Sequence, residues 1–331
     1  MRVIIEASLL ASAQVTRSPF ALPALLQACL SHDCHYIEID PPDAPELEAW
    51  RNTLRDLERD EFDLLLDESV QRESRDPSTT VIRVADVPTV EWSGSVPRFP
   101  LAQATALLGK PLRVFLEGVN DEAFVRNAVP HIYRARFEQW SERDLLRVEH
   151  KGGLQNLHHA IHPEALSPEQ HLRVFVMIDS DARKRGEHSS DSNRVARACE
   201  RQGLPHHSLQ RRALDNYIPD PALERWLKQH HGRDFQEKWL PKLRAFRALS
   251  EEQRHHYNMK HGLKRDREGG ALADLFERLV REAPEQAAHL ETGFTEAVAQ
   301  CFREPIPEAW FQADGQRPEL MRLFETMLRA A

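Results

Sequence analysis

The middle of the chain carries short apolar runs separated by segments of mixed polarity. Residues 112–116 (LRVFL) and 145–149 (LLRVE) contain β-branched members, and residues 172–178 (LRVFVMI) are apolar almost throughout. A continuous apolar run of this length is typical of a strand that is buried on both faces, as in a parallel sheet. The three segments are therefore predicted to be strands.

Helical patterns follow these strands. The segments DEAFVRNAVPHI, beginning at Asp121, and GGLQNLHHAI, opened by glycines, predict two helices. Residues 190–202 predict a third helix, with Ser190 as its N-cap and Gly203 just past its end. Residues 207–209 are expected to begin a fourth strand. Strands that alternate with helices predict βαβ units, so the fold class is α/β with a mostly parallel sheet flanked by helices.

The chain divides into three regions by pattern. Residues 1–105 predict an N-terminal α+β region, in which apolar residues at helical spacing indicate an amphipathic helix over residues 46–59. Residues 110–220 hold the strand–helix alternation, and residues 221–331 predict a helical extension. The first region shows no residues typical of a reaction, so docking of a partner and formation of a homodimer both stay open for it.

Composition narrows the class of protein. Hydrophobic residues make up 41% and charged residues 29% of the chain. No stretch approaches the roughly 20 apolar residues that cross a bilayer, and the short apolar run at the start contains Glu6, unlike the clean segment of a signal peptide. The four cysteines, Cys29, Cys34, Cys199 and Cys301, form no C-x-x-C pair and predict reduced thiols. We therefore expect a cytoplasmic protein that has no membrane partner.

The first acidic motif follows the strand candidate at residues 112–116. Glu117 ends this apolar run, and ligands of open α/β sheets bind at the carboxyl ends of the strands. Gly118 allows the backbone to turn closely there. Asp121 falls in the first turn of the next helix, where it either joins the site or only stabilises the positive end of the helix dipole.

The second acidic motif is the D-x-D that ends the most apolar run. Asp179 and Asp181 lie two residues apart, a spacing that directs both carboxylates to the same side of a strand end. Like charges this close are unfavourable unless a cation neutralises them. Carboxylate oxygens suit Mg²⁺, Mn²⁺ or Ca²⁺ better than zinc. Glu117, Asp121, Asp179 and Asp181 therefore predict a site for a divalent metal.

Two downstream residues extend this prediction. Asp215, in the segment ALDNYIP, offers a further carboxylate to the metal. Lys260, in the segment YNMKH, can place a positive charge beside a scissile phosphate. A single lysine without this context is more often a surface residue.

The charge distribution bears on a nucleic-acid partner. The net charge of −8 disfavours one, because binding of phosphates is mostly electrostatic. Basic residues nevertheless cluster beside the acidic motifs, although such a cluster is often only a solvated face. The residues predicted to contact nucleic acid are Arg183, Lys184, Arg185, Lys264 and Arg265.

The motifs taken together resemble a known family. A strand followed by E-G-x-x-D, a second helix opened by glycines, and a strand followed by D-x-D, in this order over residues 110–220, are similar to the TOPRIM domain of topoisomerases, primases and OLD-type nucleases. The D-N-Y-I-P element and the later lysine resemble the OLD-like branch, in which a helical extension completes the nuclease site. The resemblance implies a TOPRIM-like sheet.

The resemblance also implies a role for each matching residue. Glu117 would be a metal ligand and the general base, and Asp121, Asp179 and Asp181 would hold the metal. Asp215 stands where the branch more often has glutamate. Lys260 would stabilise the transition state, and Gly153, in H-K-G-G, matches the glycine of the intermediate motif.

The function expected from the resemblance is a Mg²⁺-dependent endonuclease, with Mn²⁺ as an alternative metal, acting on DNA or RNA. OLD-type proteins carry an ABC-type ATPase in the same chain, whereas this sequence has no G-x-x-x-x-G-K-[ST] motif. A separate ABC-type ATPase and a role as an anti-phage defence effector are therefore expected. Two alternatives are a non-catalytic metal-binding regulatory subunit and a phosphatase, although the phosphate loop of a phosphatase is not evident.

Overall fold

A computed structural model of the protein describes residues 1–18, 20–32, 35–75, 80–92, 94, 96–268 and 274–330. Their strands are β1 (Arg2–Glu6), β2 (Tyr36–Asp40), β3 (Val81–Val84), β4 (Arg98–Phe99), β5 (Leu112–Leu116), β6 (Leu146–His150), β7 (Val174–Ile178) and β8 (His206–Ser208). They form a first sheet in the order β2-β1-β3-β4 and a second sheet in the order β6-β5-β7-β8. All neighbouring strands of both sheets pair in parallel, so the α/β class is confirmed.

Helices connect and cover the sheets. Those before and between the strands span Ala7–Leu10, Ala13–Thr16, Ala21–His32, Pro45–Arg51, Asp56–Arg75, Leu101–Leu108, Asp121–Ala128, His131–Glu142, Leu154–Ala160, Pro168–His171 and Ser190–Gln202. Those after the last strand span Asp220–His230, Leu240–Arg247, Glu251–His256, Gly262–Glu268, Asp274–Glu282, Pro284–Leu290, Glu308–Ala313 and Arg317–Arg329. Leu214–Tyr217 and Val298–Arg303 are 3₁₀ helices, and Phe235–Trp239 is a π-helix.

The first region differs from the expected α+β arrangement. Its four strands pair in parallel, and a single antiparallel bridge joins Glu91 to Arg98. Parallel neighbours require long crossovers, here the helix Ala21–His32 between β1 and β2. The local pattern of short strands and turns did not reveal this pairing, because the partner of β3 is β1, at the other end of the region.

The single helix expected over residues 46–59 is two helices. Pro45–Arg51 ends before Asn52, and a new helix begins at Asp56. The Thr53 hydroxyl donates to the Trp50 carbonyl at 2.6 Å, and the Arg55 backbone N–H donates to Glu58 at 3.0 Å. These local hydrogen bonds satisfy backbone groups at the break between the two helices. The helical spacing of apolar residues therefore extends over two helices and not one.

The four strands predicted for the second sheet are confirmed within one or two residues. The helix Ser190–Gln202 is also confirmed, but its N-cap is Ser189, whose hydroxyl accepts from the Ser192 N–H at 3.1 Å, and not Ser190. Gly203 ends this helix in the left-handed conformation at φ +65°. Glycine adopts this conformation without the steric cost that a Cβ brings.

Alternate residues of β5 and β7 pack on opposite faces of the second sheet. Phe115 and Val176 lie in a cluster with residues of the helices Leu154–Ala160 and Ser190–Gln202. The other face, which includes Val114, belongs to a large cluster that extends through the C-terminal helices. The helical extension therefore packs directly on this sheet, close to the strand ends.

Two smaller expectations concern the membrane and the cysteines. None of the helices among the described residues is long and apolar enough to cross a bilayer. Cys199 and Cys301 are buried and form no disulfide with another described residue, as expected of reduced thiols, and Cys29 is buried as well. Cys34 lies outside the described residues.

Candidate metal centre

Glu117 directly follows β5, and a glycine pair fixes its backbone. The Glu117 carbonyl accepts hydrogen bonds from the N–H groups of Gly152 at 2.8 Å and Gly153 at 3.0 Å. The two glycines have φ angles of +81° and +106°, which L side chains rarely adopt. Nothing lies within 4 Å of a Cβ built on Gly153, so this position requires glycine for its conformation and not for space.

Gly118 and Asp121 form one tight turn. The Gly118 N–H donates to Asp121 Oδ2 at 2.9 Å. A Cβ on Gly118 would lie 3.2 Å from Asp121 Oδ1, closer than an ordinary contact, so the close approach of the carboxylate favours glycine. Burial raises the pKa of Asp121 to about 6, although the Gly118 hydrogen bond opposes this rise. Asp121 thus fixes the turn and adds negative charge beside Glu117.

The D-x-D segment leaves β7 as a fixed turn. Asp179 follows the strand, but Asp181 has φ +48°, so the alternation of an extended strand does not apply to the pair. The Asp181 N–H donates to the Arg212 carbonyl at 2.7 Å, and the Ser192 hydroxyl donates to the Asp179 carbonyl at 2.6 Å. Both aspartates nevertheless line the same cleft as Glu117.

Three carboxylate oxygens in this region are buried without a hydrogen-bond partner among the described residues. They are Glu117 Oε2, Asp179 Oδ1 and Asp215 Oδ1. Asp179 is 9% exposed and Asp215 is 2% exposed, and both line the cleft. A buried oxygen without a partner is costly, so the cleft contains acceptors that a cation would satisfy.

The carboxylates also raise one another's pKa. Burial, followed by the charges of Asp181 and Asp121, raises the pKa of Glu117 to about 7. Burial and the surrounding carboxylates raise the pKa of Asp179 well above its ordinary value. Burial raises the pKa of Asp215 as well. In their ionised forms these side chains therefore repel one another across the cleft.

Lys260 faces the carboxylates from the helical extension. Its Nζ lies 3.2 Å from Asp215 Oδ2. Burial opposes the charged form of Lys260, but the attraction of Asp215 outweighs it, and the pKa of Lys260 is raised. The backbone at Lys260 is packed against Gly293, where a Cβ would lie 2.4 Å from the Lys260 carbonyl carbon. Lys260 is therefore a charged, positioned residue of the cleft.

The carboxylates of the cleft do not form a closed metal cage. Among the described residues, no group of three or more histidines, cysteines, aspartates or glutamates is arranged so that it could hold a metal ion. The donors are all carboxylate oxygens, and three of them have no hydrogen-bond partner within the described part of the chain. Mg²⁺ commonly binds through only one or two carboxylates, with waters and substrate phosphates as its other ligands. The residues therefore fit an open Mg²⁺ or Mn²⁺ site and not a closed cage.

The predicted basic residues divide between different surfaces. The cleft has a volume of about 640 Å³, and Arg183 and Arg265 line it beside the carboxylates. Lys184 pairs with Glu187 at 2.9 Å, and Arg185 lines a separate depression. Lys264 lies in the pocket next to the cleft. Of the five predicted residues, the structure thus brings Arg183 and Arg265 to the cleft itself.

Arg212 is a residue of the cleft that the sequence motifs did not predict. Arg212 lines the cleft and binds Asp266 through two hydrogen bonds of 2.6 and 2.8 Å. Burial raises the pKa of Asp181, and the charge of Arg212 opposes this rise. The sequence offered one signal, the position of Arg212 three residues before Asp215, but its anchor Asp266 is 54 residues further along the chain.

Comparison of the chain with protein-family models, with curated proteins and with solved structures found no match in any of the three. The resemblance to the TOPRIM domain therefore rests on the sequence motifs.

Proposed function

We propose that the protein is a Mg²⁺- or Mn²⁺-dependent endonuclease that hydrolyses phosphodiester bonds of DNA or RNA through a TOPRIM-like domain of the OLD-like branch. The observation that supports this most strongly is the set of buried, unpartnered oxygens of Glu117, Asp179 and Asp215 in one open cleft. Structural carboxylates are normally paired or hydrogen-bonded. Unpartnered ones that face a cleft are typical of a site whose cation completes the charge balance.

Each residue of the cleft has a distinct part in this proposal. Asp179 and Asp181 would hold the metal, which supplies charge stabilisation and a lowered pKa for bound water. With a pKa of about 7, Glu117 can accept a proton from the attacking water near neutral pH. Lys260 donates hydrogen bonds to the phosphate as negative charge grows in the transition state. Asp215 keeps Lys260 charged and in place.

Nucleic acid suits the cleft better than a small phosphate ester. The cleft is open to solvent, and Arg183 and Arg265 line it together with the carboxylates, so it offers positive charge to further phosphates of a strand. Arginine contacts to phosphates fix a strand without reading its bases. We therefore propose cleavage with little sequence specificity and with salt-dependent affinity.

The wider setting is proposed on the resemblance alone. In the OLD-like branch an ATPase accompanies the nuclease, and this sequence has no Walker A motif. We propose that a separate ABC-type ATPase controls the protein in an anti-phage defence system in the cytoplasm. Residues 1–105 would serve either to dock this partner or to form a homodimer.

The test is direct. Purified protein is incubated with supercoiled plasmid and with total tRNA, in EDTA and over a titration of Mg²⁺ and Mn²⁺, while isothermal titration calorimetry measures metal binding. We expect metal uptake and cleavage of at least one substrate, with no cleavage in EDTA. Metal uptake without cleavage of either substrate would favour the non-catalytic regulatory subunit. Absence of both would overturn the proposal.

A further inference from the structure

A second depression of about 490 Å³ adjoins the cleft and differs from it in charge. Five cationic side chains line it, namely Lys238, Lys242, Lys260, Lys264 and Arg265, against the single carboxylate of Glu268. Lys260, Arg265 and His261 line both the cleft and this basic pocket. The two depressions are therefore contiguous, acidic at one end and basic at the other.

Lys242 is the most unusual residue of the basic pocket. It is 6% exposed, and its Nζ donates to Thr292 Oγ1 at 2.9 Å and to the Gly293 carbonyl at 2.7 Å. The ring of Trp239 lies 5.0 Å from the ammonium. No carboxylate of the described residues forms an ion pair with Lys242. A buried lysine is almost always paired with an anion. This ammonium has three donors, and its two hydrogen bonds go to neutral oxygens, so no carboxylate of the described residues neutralises its charge.

The neighbouring cations leave the pocket positive. Lys238 is exposed and, within the described part of the chain, forms no ion pair; neither does Arg265. Lys264 has Glu268 at 3.7 Å, a distance at which an exposed pair contributes little. Burial and the charge of Lys238 lower the pKa of Lys242 to about 8, as expected for a buried cation without a counterion.

We propose that the basic pocket binds a phosphate of the same nucleic-acid strand, one that flanks the phosphate held over the carboxylates. This inference rests on the proposed function. A strand lying across the cleft passes Lys260 and Arg265 before it reaches Lys242, because these two residues line both depressions. The strand phosphate supplies the anion that Lys242 lacks, and lysine contacts phosphate as a point charge.

Binding without cleavage tests the pocket. A fluorescein-labelled single-stranded 12-mer, as DNA and as RNA, is titrated by anisotropy in EDTA over a series of salt concentrations. Lys242→Met removes the charge of the buried lysine and keeps the length of its stem. Lys238→Met makes the same change at an exposed position of the pocket. The matched control is Lys228→Met, because Lys228 pairs with Glu224 at 2.6 Å outside both depressions.

We expect Lys242→Met and Lys238→Met each to weaken binding about 3- to 10-fold, and to reduce the slope of log K against log salt by about 0.7, the value for one phosphate contact on a single strand. The control should match the wild type. A structural role of Lys242 would not change the salt slope. Wild-type affinity and slope in both variants would overturn the proposal.

Two further arms separate the remaining outcomes. Inorganic phosphate is added during thermal melting; stabilisation that Lys242→Met removes, together with unchanged binding of the 12-mer, would show a site for free phosphate and would overturn the strand path. The 12-mer is also titrated against Glu117→Gln. If Lys242→Met reduces the salt slope but the wild-type protein cleaves no substrate, the phosphate pocket is supported and the proposed nuclease function fails. If the wild-type protein cleaves nucleic acid but Lys242→Met leaves the salt slope unchanged, only the phosphate pocket is rejected.

Discussion

The two parallel sheets share one topology but treat the acidic residues at their strand ends differently. In the first sheet, Glu6 ends the central strand β1, and Arg98 donates to both of its oxygens at 2.9 and 2.8 Å. Asp86, just beyond β3, accepts from the Gln14 side-chain amide at 2.8 Å. Asp40, at the end of β2, accepts from Arg83 at 2.8 Å. The protein itself satisfies these carboxylates.

The second sheet places carboxylates at the matching strand ends without such partners. Glu117 follows β5, the counterpart of β1 in the strand order, and Asp179 follows β7, the counterpart of β3. Each keeps a buried oxygen without a hydrogen bond among the described residues. Lys260, a positive residue that lines the cleft at this edge, is engaged by Asp215. The same fold thus provides one edge whose carboxylates are neutralised and one edge whose carboxylates keep unsatisfied oxygens among the described residues. The two edges differ in their side chains and not in their topology.

The largest expected effect on cleavage comes from removing the carboxylate charges at the strand ends of the second sheet. Glu117→Gln and Asp179→Asn should each reduce metal-dependent cleavage by about 10²- to 10³-fold or more, because metal binding and base catalysis both need the carboxylates. Initial rates on the plasmid or tRNA substrate measure this. Melting temperatures in EDTA should not fall, since each change removes a charge that burial penalises.

Glu6→Gln is the matched control for this comparison. It changes the counterpart residue of the first sheet, which Arg98 already neutralises. Its cleavage rate should equal that of the wild type. Full activity in both second-sheet variants, or an equal loss in Glu6→Gln, would show that the two edges do not differ in the way proposed.

The sequence predicted the elements of the second sheet well because each strand carries its own signal. Residues 174–178 are all buried, so their apolar run reveals the strand without knowledge of its neighbours. Gly203 and the glycines that precede Leu154 mark helix ends through backbone conformation, which is equally local. The motif residues Glu117 and Asp179 were found for the same reason.

What the sequence did not predict depends on contacts between distant segments. The parallel order of the first sheet requires β1 to pair with β3, about 80 residues away. The anchoring of Arg212 by Asp266 is similarly distant, and the left-handed turn at Asp181 depends on its bond to the Arg212 carbonyl. The division of the basic residues between surfaces follows from the packing of the helical extension. No local sequence pattern predicts this packing.

Lys260 gives a smaller expected effect on the same edge. Lys260→Ala should lower the cleavage rate about 10- to 10²-fold, because the phosphate loses a donor as its negative charge grows. Metal binding measured by calorimetry should persist, since Asp179 and Asp181 remain. Lys228→Ala is the control, an exposed lysine outside the cleft. Unchanged rates in Lys260→Ala would restrict the lysine to its pairing with Asp215.

The two edges should also differ in how pH affects stability. In EDTA, the pKa of Glu117 rises from 4.5 to about 7 on folding, and that of Asp121 rises from 3.8 to about 6. A raised carboxyl pKa contributes stability that is fully present below the unfolded value and is lost as pH rises through the folded value. We expect the free energy of unfolding to fall by about 1–2 kcal/mol between pH 4.5 and 7.

Chemical denaturation in EDTA across this pH range measures the effect, and Glu117→Gln should flatten the dependence. Mg²⁺ at pH 8 should restore stability, because it binds the ionised carboxylates of the native state. Stability that does not change between pH 4.5 and 7 would contradict the burial of unpaired carboxylates at the second edge.

The smallest expected effect is on the neutralised edge. Arg98 binds Glu6 and also donates to Glu91 at 2.8 Å, and these bonds raise the pKa of the arginine. Arg98→Met should lower the free energy of unfolding by about 1 kcal/mol, because the pairs are partly exposed but joined in a network. Arg126→Met, which breaks an exposed helix pair with Glu122, should cost less and serves as the control. Cleavage should stay unchanged in both variants. A loss of cleavage in Arg98→Met would mean that the first edge takes part in the chemistry, and the contrast between the two sheets would then be one of degree.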